Sequence, residues 1–366
     1  MEIEVTQEKL SKALNNVSRI AVGRVTLPVL NNVLIRVDNK KVSLITTNLD
    51  MAVVDYLPVS DSRDGVTTVP ARLLAEFVSN LPKGEKIKIT AEGTKVTINA
   101  GKYSSTINGS PADDFPELPE INEETAVVFK VGADEFKNGI QSVSVASSND
   151  LSRPALTGIY FNTFDKTLAI AATDGYRLAV RKLIKNVQSE IKVIVPATTL
   201  QEVLRAMSDN TEEVEISFNE DLVRFRLGEV EIISKLIDAS FPDYQRLIPK
   251  DNDIKLELNR GELLRVSKLA ALFARSVNGV IICEAKKPDT FSVKAIASEL
   301  GENESTITTE VSEDGKNSFN SRFFIDAINA LDEKDIVIEF SSRVAPIILR
   351  NKKNQDYTHI VMPINK

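Results

Sequence analysis

Few side chains in this 366-residue chain could do nucleophilic or metal chemistry. There is one histidine, His359, and one cysteine, Cys283. A zinc site needs three or four ligands drawn from His, Cys and carboxylates, and a Ser-His or Cys-His pair needs an imidazole beside its nucleophile. His359 lies in the alternating run Tyr357-Thr358-His359-Ile360-Val361 and reads as an exposed or edge-strand position. Cys283 follows Ile281 and Ile282 and reads as a buried strand residue, and as the single cysteine it excludes an internal disulfide. The chain has no Gly-x-x-x-x-Gly-Lys loop and no Gly-x-Gly-x-x-Gly turn, so nucleotide binding has no motif to stand on. Its 52 Asp and Glu offer many carboxylate pairs, none at a telling spacing. The expectation is a protein that is not an enzyme and that carries no catalytic residue, metal or cofactor.

What remains is charge. Overall the chain is acidic, at −7. Six segments with helical periodicity (6–24, 70–83, 132–148, 196–207, 259–275 and 320–331) carry 13 Lys and Arg against 7 Asp and Glu, which leaves 32 against 45 elsewhere. An acidic protein is repelled by nucleic acid unless its positive charge is gathered where the phosphates go. Ordinary solvated helix faces would give a similar count, so both readings stand on charge alone.

The elements that must position these charges recur. Val69 to Leu81 reads as a short amphipathic helix opened by Pro70, with Leu73, Phe77 and Leu81 on its packed face. About 125 residues later Val195-Pro196-Ala197 runs into Leu200, Val203, Leu204 and Met207; about 125 later again, Asn320-Ser321-Arg322 runs into Phe323, Ala327, Ile328 and Leu331. A period this long marks a whole small domain copied in tandem, and 366 residues are more than one core usually supports. Three domains follow, at 1–121, 122–248 and 249–366.

The first unit opens with strand Glu2–Val5. A helix N-capped by Thr6 then carries Leu10, Ala13, Leu14, Val17 and Ile20. Strands are expected at Val29–Val37, Lys41–Thr46 and Met51–Pro58, then the Pro70 helix, then a meander over Lys86–Ala91, Lys95–Ala100 and Lys102–Asn108. Pro111 to Pro119 reads as an extended connection, with Asp238 to Tyr244 as its counterpart. The second unit has a helix with Phe136, Ile140 and Val143 on one face, and strands Gly158–Asn162, Thr167–Ala172 and Arg177–Lys182. In the third, a helix through Leu263, Leu264, Val266, Leu269, Leu272 and Phe273 precedes strands Gly279–Glu284 and Thr290–Ala295, and Ser298 to Val311 reads as a long acidic arm. The fold class is α+β: three tandem copies of a domain with two helices packed on antiparallel sheets. Repetition by rotation bends such a chain into an arc, and closure puts helices inside and sheets outside. No apolar run approaches the roughly 20 residues that span a bilayer, and a cytoplasmic location is expected.

Seven stretches, in order along all three units, carry a family resemblance. They are Thr26-Leu27-Pro28-Val29-Leu30, Thr68-Val69-Pro70-Ala71-Arg72, Ala112-Asp113-Asp114-Phe115-Pro116, Ala172-Thr173-Asp174-Gly175-Tyr176-Arg177-Leu178-Ala179, Val193-Ile194-Val195-Pro196, Ser240-Phe241-Pro242-Asp243-Tyr244-Gln245-Arg246 and Val361-Met362-Pro363-Ile364. The sequence resembles the bacterial β sliding clamps, processivity subunits of the replicative DNA polymerase III, over essentially its whole length.

The resemblance implies a DNA sliding clamp: a head-to-tail homodimeric ring around duplex DNA, read without sequence preference. It also implies a clamp loader and a peptide-binding pocket that tethers the replicative polymerase catalytic subunit and other polymerases and repair proteins. Carried over, that pocket comprises Arg153, Leu156, Thr173, Gly175, Tyr176, Arg177, Leu178, Pro242, Arg246, Leu247, Phe323, Val344, Val361, Met362, Pro363 and Ile364, floored by Leu178, Leu247, Val361 and Met362. Pro154 and Ala155 stand where many members carry aromatic residues, and Tyr176 where a histidine is common. DNA contact falls to Arg24, Asn149, Lys12 and Arg72, as phosphate contacts that carry no sequence information. The dimer interface falls to Lys102, Ser105 and Ile107 against Leu272, Phe273, Glu299, Glu302 and Glu304, with Lys102 opposite the glutamates. Two other classes stand beside this reading: an enzyme with a carboxylate pair in an interdomain cleft, and a peptide scaffold that never touches DNA.

Overall fold

The structure is a computed structural model and describes residues 1–21, 27–59, 61–249, 252–276, 278–341 and 345–364. Its six described helices are α1 (Gln7–Val17), α2 (Ala71–Ser79), α3 (Ala133–Ser144), α4 (Ala197–Ala206), α5 (Arg260–Ala274) and α6 (Ser321–Ala330). The chain forms two compact units, 1–133 with 198–236, and 134–197 with 237–366.

Each unit is organised around an eight-stranded antiparallel sheet. In the first, Val230–Lys235 pairs with Met51–Leu57, joining Val127–Gly132, Glu213–Phe218 and Leu222–Leu227 to Lys41–Thr47, Asn32–Asp38 and Gly65–Pro70. In the second, Arg177–Lys185 pairs with Tyr357–Val361 in the same way. Strands of neighbouring repeats thus meet edge to edge, which leaves no open edge at the junction. A five-stranded sheet completes the first unit and ends on Tyr103–Asn108; a four-stranded sheet completes the second and ends on Gly301–Thr308.

The period-2 and period-3.6 patterns explain the packing. Ile87, Ile89, Val96 and Ile98 alternate with wet neighbours and are fully buried. Phe136, Ile140 and Val143 on α3 are buried as their spacing predicts, and so is Cys283, whose thiol burial pushes above its ordinary range. Helix α1 packs on α2 and on strand Met51–Leu57, and α5 packs on α6 and on Thr290–Ala297.

Several expectations need correction. The core face of α2 is Ala71, Leu74 and Val78, continued by Leu81, whereas Leu73 is 51% exposed and Phe77 only half-buried. On α6 it is Phe324, not Phe323, that joins Ala327 and Ile328. On α5, Leu263, Val266, Ser267, Ala270 and Ala274 are buried while Leu269 and Leu272 are exposed. The Val29–Val37 strand starts as a 3-10 turn, Pro28–Asn31, because the proline sets its φ, and becomes strand only at Asn32. The Pro111 to Pro119 connection contains a 3-10 turn at Ala112–Asp114 and inserts Phe115 among Val29, Leu34, Ile45 and Val54. The acidic arm is strand Gly301–Thr308, paired with Thr290–Ala297. Thr6 makes no side-chain cap.

His359 is the largest departure. Its strand has a partner on each side, and the residue is 0% exposed. The Tyr357 hydroxyl donates to the Ser142 carbonyl at 3.0 Å, so it accepts from His359 Nδ1–H at 2.7 Å. Burial, helped by the Arg177 charge, pushes the imidazole down to about 3 and keeps it neutral. Among the described residues, no group of His, Cys, Asp and Glu is placed to hold a metal ion, and no helix is long and apolar enough to cross a membrane.

Candidate partner-peptide surface

Within the second unit the turn after strand Thr167–Thr173 is over-determined by its own side chains. Thr173 Oγ1 donates to the Arg177 carbonyl at 2.6 Å and accepts from Gly175 N–H at 3.1 Å. Asp174 Oδ1 accepts from the N–H groups of Tyr176 and Arg177 at 2.9 and 3.0 Å. Gly175 takes φ of +92°, where a side chain is disfavoured. The turn holds Tyr176 out in solvent, 62% exposed, while Arg177 returns to the sheet.

Arg177 ties this turn to α6. Its Nε pairs with Asp174 at 3.1 Å and its Nη1 with Asp326 at 2.7 Å. The guanidinium lies 4.4 Å from the centre of the Phe323 ring, which stacks on Tyr176 with centroids 6.4 Å apart and planes at 24°. The last strand closes the site: Val361 stands opposite Arg177, and Met362 N–H donates to the Tyr176 carbonyl at 2.9 Å.

The apolar floor divides into two layers. Leu178 and Val361 are 3% and 0% exposed, and Leu178 packs with Ala171, Tyr244, Ile348 and Ile360. They support the site from beneath. The surface a partner could touch is built by Tyr176, Leu247 and Met362, with exposures of 62, 50 and 41%. Tyr160 stacked on Phe241 at 4.7 Å, and Tyr244 hydroxyl donating to Asn162 at 3.1 Å, fix the segment that carries exposed Pro242, Arg246 and Leu247. Arg246 holds Asp243 at 2.7 Å in solvent. Arg153 pairs with Asp150 at 2.9 Å and donates to the Asp174 carbonyl at 3.4 Å, above buried Leu156. Pro363 and Ile364 are half-buried. Val344 lies outside the described residues. Sequence reasoning missed Asp174 and Asp326 as the anchors of Arg177. Asp174 was legible as an Asp-Gly turn residue; Asp326 was not, because its role depends on a partner 149 residues away.

Of the other sites, Lys12 and Arg72 are exposed on α1 and α2 in the first unit, and Asn149 is exposed in the loop after α3 in the second. Arg24 lies outside the described residues. In the first unit's edge strand Ile107 is only 5% exposed and belongs to the core and Ser105 is half-buried, while Lys102 is exposed in the turn just before it, 5.5 Å from the ring centre of Tyr103. Tyr103, 38% exposed at a free edge, is an aromatic candidate that sequence reasoning passed over. In the second unit Leu272 is 53% exposed and Phe273 half-buried, with Ile296 and Leu300 exposed nearby in sequence to Glu299 and Glu302. Glu304 is already paired with Lys294 at 2.8 Å, which weakens its claim on Lys102.

The comparisons with known proteins extend over the whole chain. The DNA polymerase III beta subunit family matches with its N-terminal domain over residues 1–119, its central domain over 130–243 and its C-terminal domain over 245–365. A beta sliding clamp of Staphylococcus aureus is 30% identical over 376 residues, covering 100% of this chain and 99% of its own. A Pseudomonas aeruginosa DnaN sliding clamp solved with griselimycin superposes with a TM-score of 0.94 at 28% identity, covering 100% of both chains. The Bacillus subtilis DNA polymerase sliding clamp gives 0.94 at 27%, covering 100% of this chain and 99% of its own. The chain therefore belongs to the DNA polymerase III beta subunit family, the bacterial sliding clamps, non-catalytic processivity factors of three tandem clamp domains.

Proposed function

We propose that two copies of this chain close head to tail into a ring around duplex DNA, and that the Tyr176–Leu247–Met362 surface tethers the replicative polymerase and other motif-bearing clients to it. Its three clamp domains are 1–121, 122–248 and 249–366, and a loader opens the ring in the cytoplasm. The observation that carries the reading is the pair of free sheet edges. Tyr103–Asn108 ends one sheet and Gly301–Thr308 another, each with unpaired backbone groups. The first edge offers Lys102 and Tyr103 and the second Glu299, Leu300 and Glu302, with Leu272 on α5 beside it in the same unit. Edge pairing between copies satisfies the backbone and buries these apolar side chains. Lys12 and Arg72 supply phosphate contacts that carry no sequence information, as a sliding ring requires.

Light scattering tests the assembly: the expected mass is twice 40.3 kDa. Leu272→Asp combined with Tyr103→Asp should shift the population to the single-chain mass. A wild type that is monomeric at every concentration contradicts the ring.

A further inference from the structure

We infer that the first unit carries a second peptide-docking surface, related to the first by the internal repeat, which takes an extended segment with an apolar anchor at one end and carboxylates at the other. The inference rests on the reading of Tyr176, Leu247 and Met362 as a peptide site.

The stretch Thr47 to Ala52 stands 126 residues before Thr173 to Leu178. It repeats that turn bond for bond. Thr47 Oγ1 donates to the Met51 carbonyl at 3.0 Å and accepts from Leu49 N–H at 3.1 Å, as Thr173 does for Arg177 and Gly175. Asn48 Oδ1 accepts from the N–H groups of Asp50 and Met51 at 3.1 and 2.8 Å, as Asp174 does for Tyr176 and Arg177. Lys235 N–H donates to the Asp50 carbonyl at 2.9 Å, the counterpart of Met362 N–H on Tyr176. The scaffold of the peptide surface is therefore present twice.

What the turn displays differs. Leu49 stands where Gly175 stands and keeps a φ of +75°, a region that disfavours large L side chains. It is nonetheless 47% exposed, and so is Leu27, which occupies the position of Arg153. A leucine held in a disfavoured backbone conformation and left in solvent is not accounted for by packing. Display to an apolar partner accounts for it.

From this turn, strand Lys41–Thr47 runs into a groove of about 980 Å³ floored by Ile45, Val54 and Ile233 and walled by Pro116 to Glu120. Thr47 to Lys41 spans roughly 20 Å in an extended strand, the reach of about six peptide residues. At the far end Arg36 and Lys41 line the groove, both exposed to solvent. Arg224, with its Nη2 on Glu123 at 3.0 Å, has its Nε buried with no acceptor. Four acids line the groove: Glu231 is taken by Arg226 at 2.9 Å, Asp38 accepts from Asn39, and Glu117 and Glu120 stand on the Pro116 to Glu120 wall, away from the Arg36 and Lys41 strand pair. Carboxylates on the docked segment neutralise the exposed Arg36 and Lys41 end.

The test is a methyl NMR titration of the full-length protein. The probe is a synthetic peptide with glutamine, leucine and phenylalanine near its N-terminus and a run of glutamates near its C-terminus. Methyl signals of Leu247 and Met362 report the first surface, those of Leu27 and Leu49 the second. Both sets should move, the second at higher peptide concentration. Arg36→Glu with Lys41→Glu, or serines in place of the peptide's glutamates, should weaken the second response about tenfold and leave the first unchanged. Stationary Leu27 and Leu49 signals at about 2 mM peptide, or a second response indifferent to these charge changes, overturn the inference. Stationary Leu247 and Met362 signals would instead refute the first surface.

Discussion

The two eight-stranded sheets share one repeat, yet they turn opposite charges toward their helices. Met51 and Asp55 of the first sheet occupy the positions of Arg177 and Arg181 in the second. Asp55 is 6% exposed and accepts from Asn16 of α1 at 2.8 Å. Burial pushes its carboxyl up to about 6, against the Asn16 bond and the Lys12 charge and with the help of Glu229. In the second sheet the same face carries Arg177, clamped between Asp174 and Asp326, and neutral His359 on Tyr357. Two copies of one scaffold thus acquire opposite pH linkages, because a buried group's preferred protonation state depends on its own sign and partners, not on the fold.

Removing the clamp should break the comparison most strongly. Arg177→Ala leaves Asp174 and Asp326 without their cation and should cost the second unit about 3–5 kcal/mol, read by hydrogen exchange in Tyr357–Val361. It should also loosen Phe323 and Tyr176 and weaken client-peptide binding. Acid should act next. His359 binds its proton more weakly folded than unfolded, so its contribution is present above pH 6.5 and is lost as pH falls toward about 3, by roughly 4 to 5 kcal/mol. His359→Gln should flatten that acid slope in the second unit; an unchanged slope removes His359 as its source.

Asp55 works with the opposite sign. Its folded carboxyl holds a proton more tightly, so its contribution is present below the unfolded value of 3.8 and is lost as pH rises through about 6. Asp55→Asn should therefore stabilise the first unit at pH 7.5 by roughly 3 kcal/mol and leave it nearly unchanged at pH 3.5. Equal effects at both pH values would contradict burial as the cause. Smallest is Leu49→Gly, which relieves a positive φ and should stabilise by about 1 kcal/mol in thermal unfolding while erasing the apolar display.

The repeat made most of the fold legible, because Pro70, Pro196 and the Asn320 N-cap each open a helix between alternating strands. Faces were harder. Leu73 and Phe77 are spaced as well as Leu74 and Val78, and only the neighbours of α2 choose between the two stripes. Leu269 and Leu272 read as core for the same reason, although α5 leaves that stripe exposed. His359 misled because alternation reports solvent on one side of a strand, and the strand that holds it is covered on both. At the candidate peptide surface the Thr-Asp-Gly-Tyr-Arg turn was legible, whereas the burial of Leu178 and Val361 beneath Leu247 and Met362 depends on pairings across about 180 residues.

Topological linkage tests the central claim most directly. The protein, loaded onto nicked circular DNA with a clamp loader and ATP, should stay bound through a salt wash and leave when a single cut linearises the circle. Retention that is the same on circular and linear DNA would mean ordinary surface binding and would contradict a closed ring.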